Sequence, residues 1–222
     1  MSSVLYNATS TCGICKFTFE TIKVRFSKLR QESCDSDFFI KYKDVQPILY
    51  EVCVCENCGY SDFVSDFEKG PHPREKLKIK ERIGKRWKPK NYNCERDPKL
   101  AIECYKLLYA NLIAREASYY LLAKTAIRMG WIYRLAENKE EESKYLKMAL
   151  KYYHETYEYQ SLPIGKFDES TCIYMIGELY RRTQDKKESK IWFSKILSLA
   201  YNKKNPKIQN MVSDRLQDLK SN

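Results

Sequence analysis

The stretch VCVCENCGYSDF, residues 52–63, sets Cys53, Cys55 and Cys58 within six positions and follows the last with Gly59 and Tyr60. Cys55-Glu-Asn-Cys58 has the C-x-x-C spacing at which one tight turn offers two thiolates to a metal ion. A second pair, Cys12-Gly-Ile-Cys15, stands upstream, and two such turns complete a tetrahedron. The 39 residues between the pairs exceed the roughly 15–20 of a common zinc ribbon, a length that a strand pair fills while bringing the turns together. Gly13 and Gly59 permit tight backbone geometry, and backbone N–H groups in such knuckles point at the sulfurs and spread their charge. Lys16, Lys23 and Arg25 are nearby cations that offset the rest. Cys12, Cys15, Cys55 and Cys58 are therefore the expected ligands. Cys53 lies on one face with Cys55 if the segment is extended, but C-x-C makes a poorer knuckle, which leaves Cys53 as a buried thiol or a spare ligand.

Four cysteines close a site, whereas catalytic zinc keeps a position for water and usually includes His or a carboxylate. The expected cofactor is structural Zn²⁺; iron of the rubredoxin sort uses the same two turns and is the rival occupant. Of the two histidines, His72 sits between Pro71 and Pro73 outside ordinary ligand spacing, and His154 falls in a tyrosine-rich helix. Redox chemistry of the thioredoxin sort needs C-x-x-C at a helix start in a βαβ setting, which is not visible. Cys34, Cys94, Cys104 and Cys172 lack partners at ligand spacing; the last two lie on apolar helix faces, where free cysteine acts as a small hydrophobe, and the expectation is core residues.

The 222 residues carry nine cysteines and a net charge of +11, with 43% of residues hydrophobic. An odd count with thiols inside helical patterns argues against a disulfide framework, and no apolar run approaches the roughly 18 residues of a membrane span. The expectation is a soluble, cytoplasmic protein with no membrane contact. The charge is concentrated: residues 74–90 hold nine basic residues against Glu75 and Glu81, a local +7. Pro71, Pro73, Gly84 and Pro89 punctuate this segment, which reads as a basic linker over 71–96. It joins a β module over 1–70, with strands expected in ETIKVRF, FFIKY and ILYEVCV, to a helical domain over 97–222.

That domain opens at RDPKLAIECYKLLYANLIARE, where Asp97 suits an N-cap, Pro98 the first helical position, and Ala101, Cys104, Leu108 and Leu112 recur at helical spacing. Downstream a pattern repeats after 47 residues: Gly130 aligns with Gly177, Tyr133 with Tyr180, Arg134 with Arg181, Lys139 with Lys186, Glu141 with Glu188, Leu146 with Phe193 and Leu150 with Leu197. Each unit reads as a helix, a short polar turn and a second amphipathic helix, whose apolar faces are buried by stacking on neighbours. Met129-Gly130 with Tyr133, Ile176-Gly177 with Tyr180, and Ala149 resemble the tetratricopeptide signature. Glu142, Ser189, Ile196 and the long period depart from it.

As a whole the chain resembles the bacterial domain-of-unknown-function family numbered 2225. The residues that carry the resemblance are CGICKFTF (12–19), KVRFSKLR (23–30), DSDF (35–38), YKDVQPILYEVCVCENCGYSDF (42–63), AIECYKLLY (101–109), IRMGWIYR (127–134) and EEESKYLKMAL (140–150). Glu56 stands where that family usually has proline, and Cys53 is additional. The resemblance implies a zinc-ribbon-like part followed by a tetratricopeptide-like part, and it assigns no activity. The expected fold class is thus α+β, and the expected function is a protein-interaction scaffold with a protein partner. Its helical groove would be lined by amphipathic side chains among Tyr119, Tyr120, Tyr133, Tyr152, Tyr153, Tyr157, Tyr159, Tyr174, Tyr180 and Trp131, about half of them core instead, as repeat signature positions usually are. The alternative is nucleic-acid binding through the zinc module and Lys78, Lys80, Arg82, Lys85, Arg86 and Lys88, with Trp87 or Tyr92 stacking on a base. Asp35 and Asp37 read as turn residues. No nucleophile elbow or phosphate-binding glycine loop is present, so neither an enzyme nor a small-molecule substrate is expected.

Overall fold

The computed structural model describes residues 4–199 and 205–221. It is mixed α+β: small antiparallel hairpins carrying a cysteine cluster come first, then a helical region, with seven α-helices among the described residues. The chain divides into two compact units, the first made of Met1–Cys34, Ile40–Ala117 and Trp131–Asn138, the second of Asp35–Phe39, Ser118–Gly130 and Lys139–Asn222. No helix among the described residues is long and apolar enough to cross a membrane.

In the first unit, β1 (Leu5–Thr11) pairs with β2 (Thr18–Val24), β3 (Gln31–Cys34) with β4 (Ile40–Tyr42), and β5 (Val52–Val54) with β6 (Ser61–Phe63), each as a two-stranded antiparallel ribbon. Isolated ribbons are marginal in water, so their stability comes from what they pack on. Cys12, Ile14, Phe19, Cys53, Cys55, Tyr60, Phe67, Ile79 and Ala114 form one buried cluster, in which the Phe67 ring stacks on Tyr60 at 5.1 Å and meets Phe19 edge-on at 5.9 Å. Helix α2 (Pro98–Ala114) starts at the expected cap, the Asp97 carboxylate accepting from Leu100 N at 2.7 Å, and buries Ala101, Cys104, Leu108 and Leu112. It binds the ribbons through polar groups as well: Asn111 Nδ2 donates to Gly59 O at 3.1 Å, and Tyr105 Oη donates to Ile48 O at 3.1 Å.

The basic segment is not a linker. Helix α1 (Pro73–Arg82) forms there behind a capping box in which His72 Nδ1 accepts from Arg74 N and Glu75 accepts from His72 N at 2.9 Å. Ile79 is buried in the cysteine-rich cluster, and Tyr92 is buried too. Arg96 is the strongest tie, donating to Val52 O at 2.8 Å, Leu49 O at 3.1 Å and Tyr92 O at 3.2 Å. A guanidinium that satisfies three carbonyls can be buried without a carboxylate partner. The expected boundaries at 70 and 97 therefore fall inside one folded unit, which runs on to Ala117.

The helices from residue 119 onward follow the 47-residue repeat closely. After α3 (Tyr119–Leu135), α4 (Lys139–Tyr159) begins 47 residues before α6 (Lys186–Leu197), which follows α5 (Glu169–Arg182). The turns match atom for atom: Glu137 and Gln184 both take positive φ, at 56° and 69°. Asn138 N bonds Tyr133 O at 3.0 Å just as Asp185 N bonds Tyr180 O at 2.9 Å. This is a Schellman end, which satisfies the orphan carbonyls of the last turn. The aligned glycines serve the same purpose, since a methyl at Gly130 would lie 3.0 Å from Leu146 and one at Gly177 would lie 2.8 Å from Phe193. A small residue lets the partner helix approach there. Helix α7 (Pro206–Ser221) closes the chain, with Ile208 and Val212 buried.

Asp35 and Asp37 do lie in a turn, with Phe38 N bonding Asp35 O at 3.0 Å, but the turn belongs to the helical unit. Asp37 and Glu178 are fully buried beside Arg181 and Arg182. His154 is half-buried, its Nε2 3.0 Å from Tyr180 Oη and its ring edge-on to Trp192. Burial lowers its pKa; Glu158 and Glu188 pull the other way and do not win. A folded value below the unfolded one makes protonation oppose folding, so this contribution is present above about pH 6.5 and is lost as pH falls through the folded value. The thermal midpoint is expected to fall from about pH 7.5 to about pH 5.5, and to fall less in His154→Gln.

Candidate metal centre

The two C-x-x-C turns are copies of one knuckle. In the first turn Cys12 N donates to Phe17 O at 2.9 Å and Lys16 N to Cys12 O at 3.1 Å. In the second turn Cys55 N donates to Tyr60 O at 2.8 Å and Gly59 N to Cys55 O at 2.9 Å. The residue after the last cysteine is left-handed in both, Lys16 at φ 64° and Gly59 at φ 73°. Lys16, and not Gly13, is thus the counterpart of Gly59. Gly13 has a different duty: a methyl on it would sit 2.5 Å from Gly70 Cα and 2.6 Å from Phe67 O.

Ribbons β1–β2 and β5–β6 present the knuckles to one another. The sulfurs of Cys12, Cys15, Cys55 and Cys58 all lie within 4.8 Å of one another, with Cys12 and Cys58 at 3.7 Å and Cys15 and Cys55 at 3.6 Å. A disulfide would need about 2.05 Å. Four sulfurs on a tetrahedron of about 2.3 Å bonds stand about 3.8 Å apart, so the donor set fits a thiolate-bound ion. All nine cysteines are free thiols. Without an ion the cluster holds its charge unevenly: hydrogen bonds from Cys55 and Cys58 bring Cys12 down to about 2, and the bond to Cys12 pushes Cys55 up to about 12. A divalent cation bound by these sulfurs would displace the thiol protons, releasing them as it binds.

The sulfur charge is met mainly by N–H groups. Ile14 N and Cys15 N point at Cys12 Sγ at 3.4 and 3.5 Å, and Asn57 Nδ2 points at Cys15 Sγ at 3.5 Å. Arg25, a cation expected near the site, is used instead by Leu5 O at 3.2 Å and the Tyr6 ring. Cys53 lies outside the four-sulfur group; it is buried in β5 opposite Asp62, and burial pushes its thiol up to about 12. Burial likewise raises Cys104 to about 11 and Cys172 to about 12, as core thiols.

Two contacts that sequence reasoning missed brace the second knuckle. Asp62 is buried between Arg115 Nη1 at 2.9 Å, Tyr60 Oη at 3.0 Å and Phe63 N at 2.9 Å. Trp87 donates its indole N–H to Glu56 O at 2.7 Å and lays its ring on Gly59. A methyl at Gly59 would meet that ring at 2.5 Å and also strain a positive φ. Gly59→Ala is therefore expected to cost about 2 kcal/mol or more, the left-handed conformation alone accounting for about 1–2. Gly165→Ala, at φ 59° in open space, should cost only the conformational part; denaturant midpoints of the two variants test this.

Residues 5–219 match the family described as "Uncharacterized protein conserved in bacteria (DUF2225)". The chain belongs to this family. A distant relative among curated proteins, an uncharacterised protein of Borreliella burgdorferi, is 24% identical over 223 residues, covering 88% of this chain and 77% of that protein. No solved structure matches. For this DUF2225 member, the match spans both the cysteine knuckles and the repeated hairpins.

Proposed function

We propose that this protein is a zinc-stabilised adaptor: Cys12, Cys15, Cys55 and Cys58 hold one structural Zn²⁺, and the helical hairpins bind a protein partner in the cytoplasm. The observation that carries the metal reading is the spacing of four free sulfurs on two facing knuckles, near that of a tetrahedral thiolate site. The ion would supply no reaction chemistry, because four protein ligands leave no position for water. Its role would be to fix the knuckles, which have too little core of their own. Cobalt substitution is expected to give the intense visible bands of tetrahedral thiolate coordination, and their absence would contradict the ligand set.

The scaffold reading rests on the two matching hairpins, which support a tetratricopeptide-like unit whose unpaired faces bind other chains. Tyr153 and Tyr174 are spent on the core, whereas Tyr159 is 70% exposed with Tyr119 against it at 6.1 Å, and Ile191 on α6 is 51% exposed. Aromatic and apolar groups held outward on rigid helices are the usual anchors of a protein interface. A photo-crosslinking residue at Tyr159 or Ile191 should trap one defined polypeptide in the cell. Trapping nothing, or only what a probe at Glu81 also traps, would contradict this reading.

A further inference from the structure

The basic segment and the first knuckle form a surface that the adaptor role does not use. Of its cations, Lys78 is paired with Glu116 at 2.5 Å, Arg82 donates to Ala114 O at 3.3 Å, and Lys90 is paired with Glu103. That leaves Lys80, Lys85, Arg86 and Lys88, with Arg74 and Lys16, exposed and without an acidic partner among the described residues. They are not on a floating tether, because Trp87 pins Lys85–Lys88 to the second knuckle through Glu56 and Gly59. Trp87 and Tyr92 are both committed inward, so neither can stack on a base as the sequence suggested.

Phe17 can. It follows Lys16 on the first knuckle, is 40% exposed, and is backed by Phe19 in a parallel stack at 6.1 Å. Its ring lines a shallow groove of about 290 Å³ with Glu56, Asn57, Pro89, Lys90 and Asn91. A ring as one wall, with carboxylate and amide groups along the rest, suits the face and hydrogen-bonding edge of a planar heterocycle. Unpaired cations outside the groove suit phosphates. A duplex keeps its bases stacked and offers no ring to the groove, and a lipid surface would call for protruding apolar side chains, whereas the Phe17 ring lies along a groove beside Glu56, Asn57 and Asn91.

We propose that this face binds single-stranded nucleic acid, one base stacking on Phe17 within the groove while Lys16, Lys85, Arg86 and Lys88 contact the adjoining phosphates. The proposal is independent of what the helical hairpins bind and rests on the knuckles being folded, so metal content is checked in every sample. Fluorescence anisotropy with labelled single strands of about 12 nucleotides, DNA and RNA, is the test. Four phosphate contacts predict a log–log salt slope of about −3. Lys85→Glu with Arg86→Glu should weaken binding more than about 10-fold and flatten that slope. Phe17→Ala should weaken it about 5- to 100-fold, and Phe17→Trp, which keeps a stacking ring, should retain it. Duplex of equal length binding as tightly with Phe17→Ala silent, anionic vesicles bound in place of the oligonucleotide, or no binding at about 50 mM salt would each overturn the proposal.

Discussion

Cys12→Ser is expected to lose the metal and unfold the cysteine-bearing part of the first unit. Structural zinc sites contribute about 10–16 kcal/mol in small domains at neutral pH, against a total stability of about 5–15 kcal/mol for a typical domain. Here the dependence should be strong, because β1–β2 and β5–β6 are separate two-stranded ribbons joined through Cys12, Cys55 and the ring cluster of Phe19, Tyr60 and Phe67. Serine at position 12 removes a thiolate and leaves a buried hydroxyl where Ile14 N and Cys15 N had an acceptor. Zinc content and protease resistance of the full chain report the outcome. Cys53→Ala is the matched control, being a buried thiol outside the four-sulfur group, and should keep one ion per chain. Equal metal loss in both variants would contradict the assignment of ligands.

The second large effect is expected in the helical unit. Glu178, with no exposed surface, accepts from Arg181 Nε at 2.8 Å and Nη2 at 2.7 Å, from Arg182 Nε at 2.8 Å, and from Ser36 Oγ at 2.6 Å. Asp37, equally buried, lies 3.3 Å from Arg182, and Tyr174 Oη donates to Ser36 O at 2.8 Å. One carboxylate thus ties the turn at residues 35–39 to α5. Glu178→Ala strips Arg181 of its carboxylate and leaves Arg182 only Asp37, in a cluster that is mostly buried, which should cost about 3–5 kcal/mol. Glu178→Gln keeps the shape and part of the hydrogen bonding, so it should cost less. Denaturant unfolding of both variants is the measurement. A loss below about 1 kcal/mol for the alanine variant, the range of an exposed pair, would show that the cluster does not hold the turn.

Features that depend on local spacing were legible in the sequence. Two C-x-x-C pairs identify the four clustered sulfurs, and the Asp97-Pro98 start fixes α2. The 47-residue alignment places Gly130 against Leu146 and Gly177 against Phe193. Features that depend on distant partners were not. β1 escaped because LYNATST lacks apolar alternation and becomes a strand by pairing with β2 from Leu5–Val24 to Thr11–Thr18. Phe26, the end of the strand expected in ETIKVRF, is instead exposed in a short 3-10 turn after β2 ends. The basic segment reads as a loop or partly helical linker because its charges are local, whereas Ile79, Trp87 and Arg96, which bury it, are single residues with partners remote in sequence, such as Glu56 for Trp87 and Val52 for Arg96. The DSDF turn could be recognised as a turn, but nothing near it in sequence announces Glu178 or Arg182.

The central claim is that one ion joins the two knuckles. X-ray absorption at the metal edge, with elemental analysis of protein purified under reductant, tests it most directly. One zinc per chain bound by four sulfurs at about 2.3 Å is the expected result. Protein that folds without stoichiometric metal, or an ion with oxygen or nitrogen among its ligands, would contradict it.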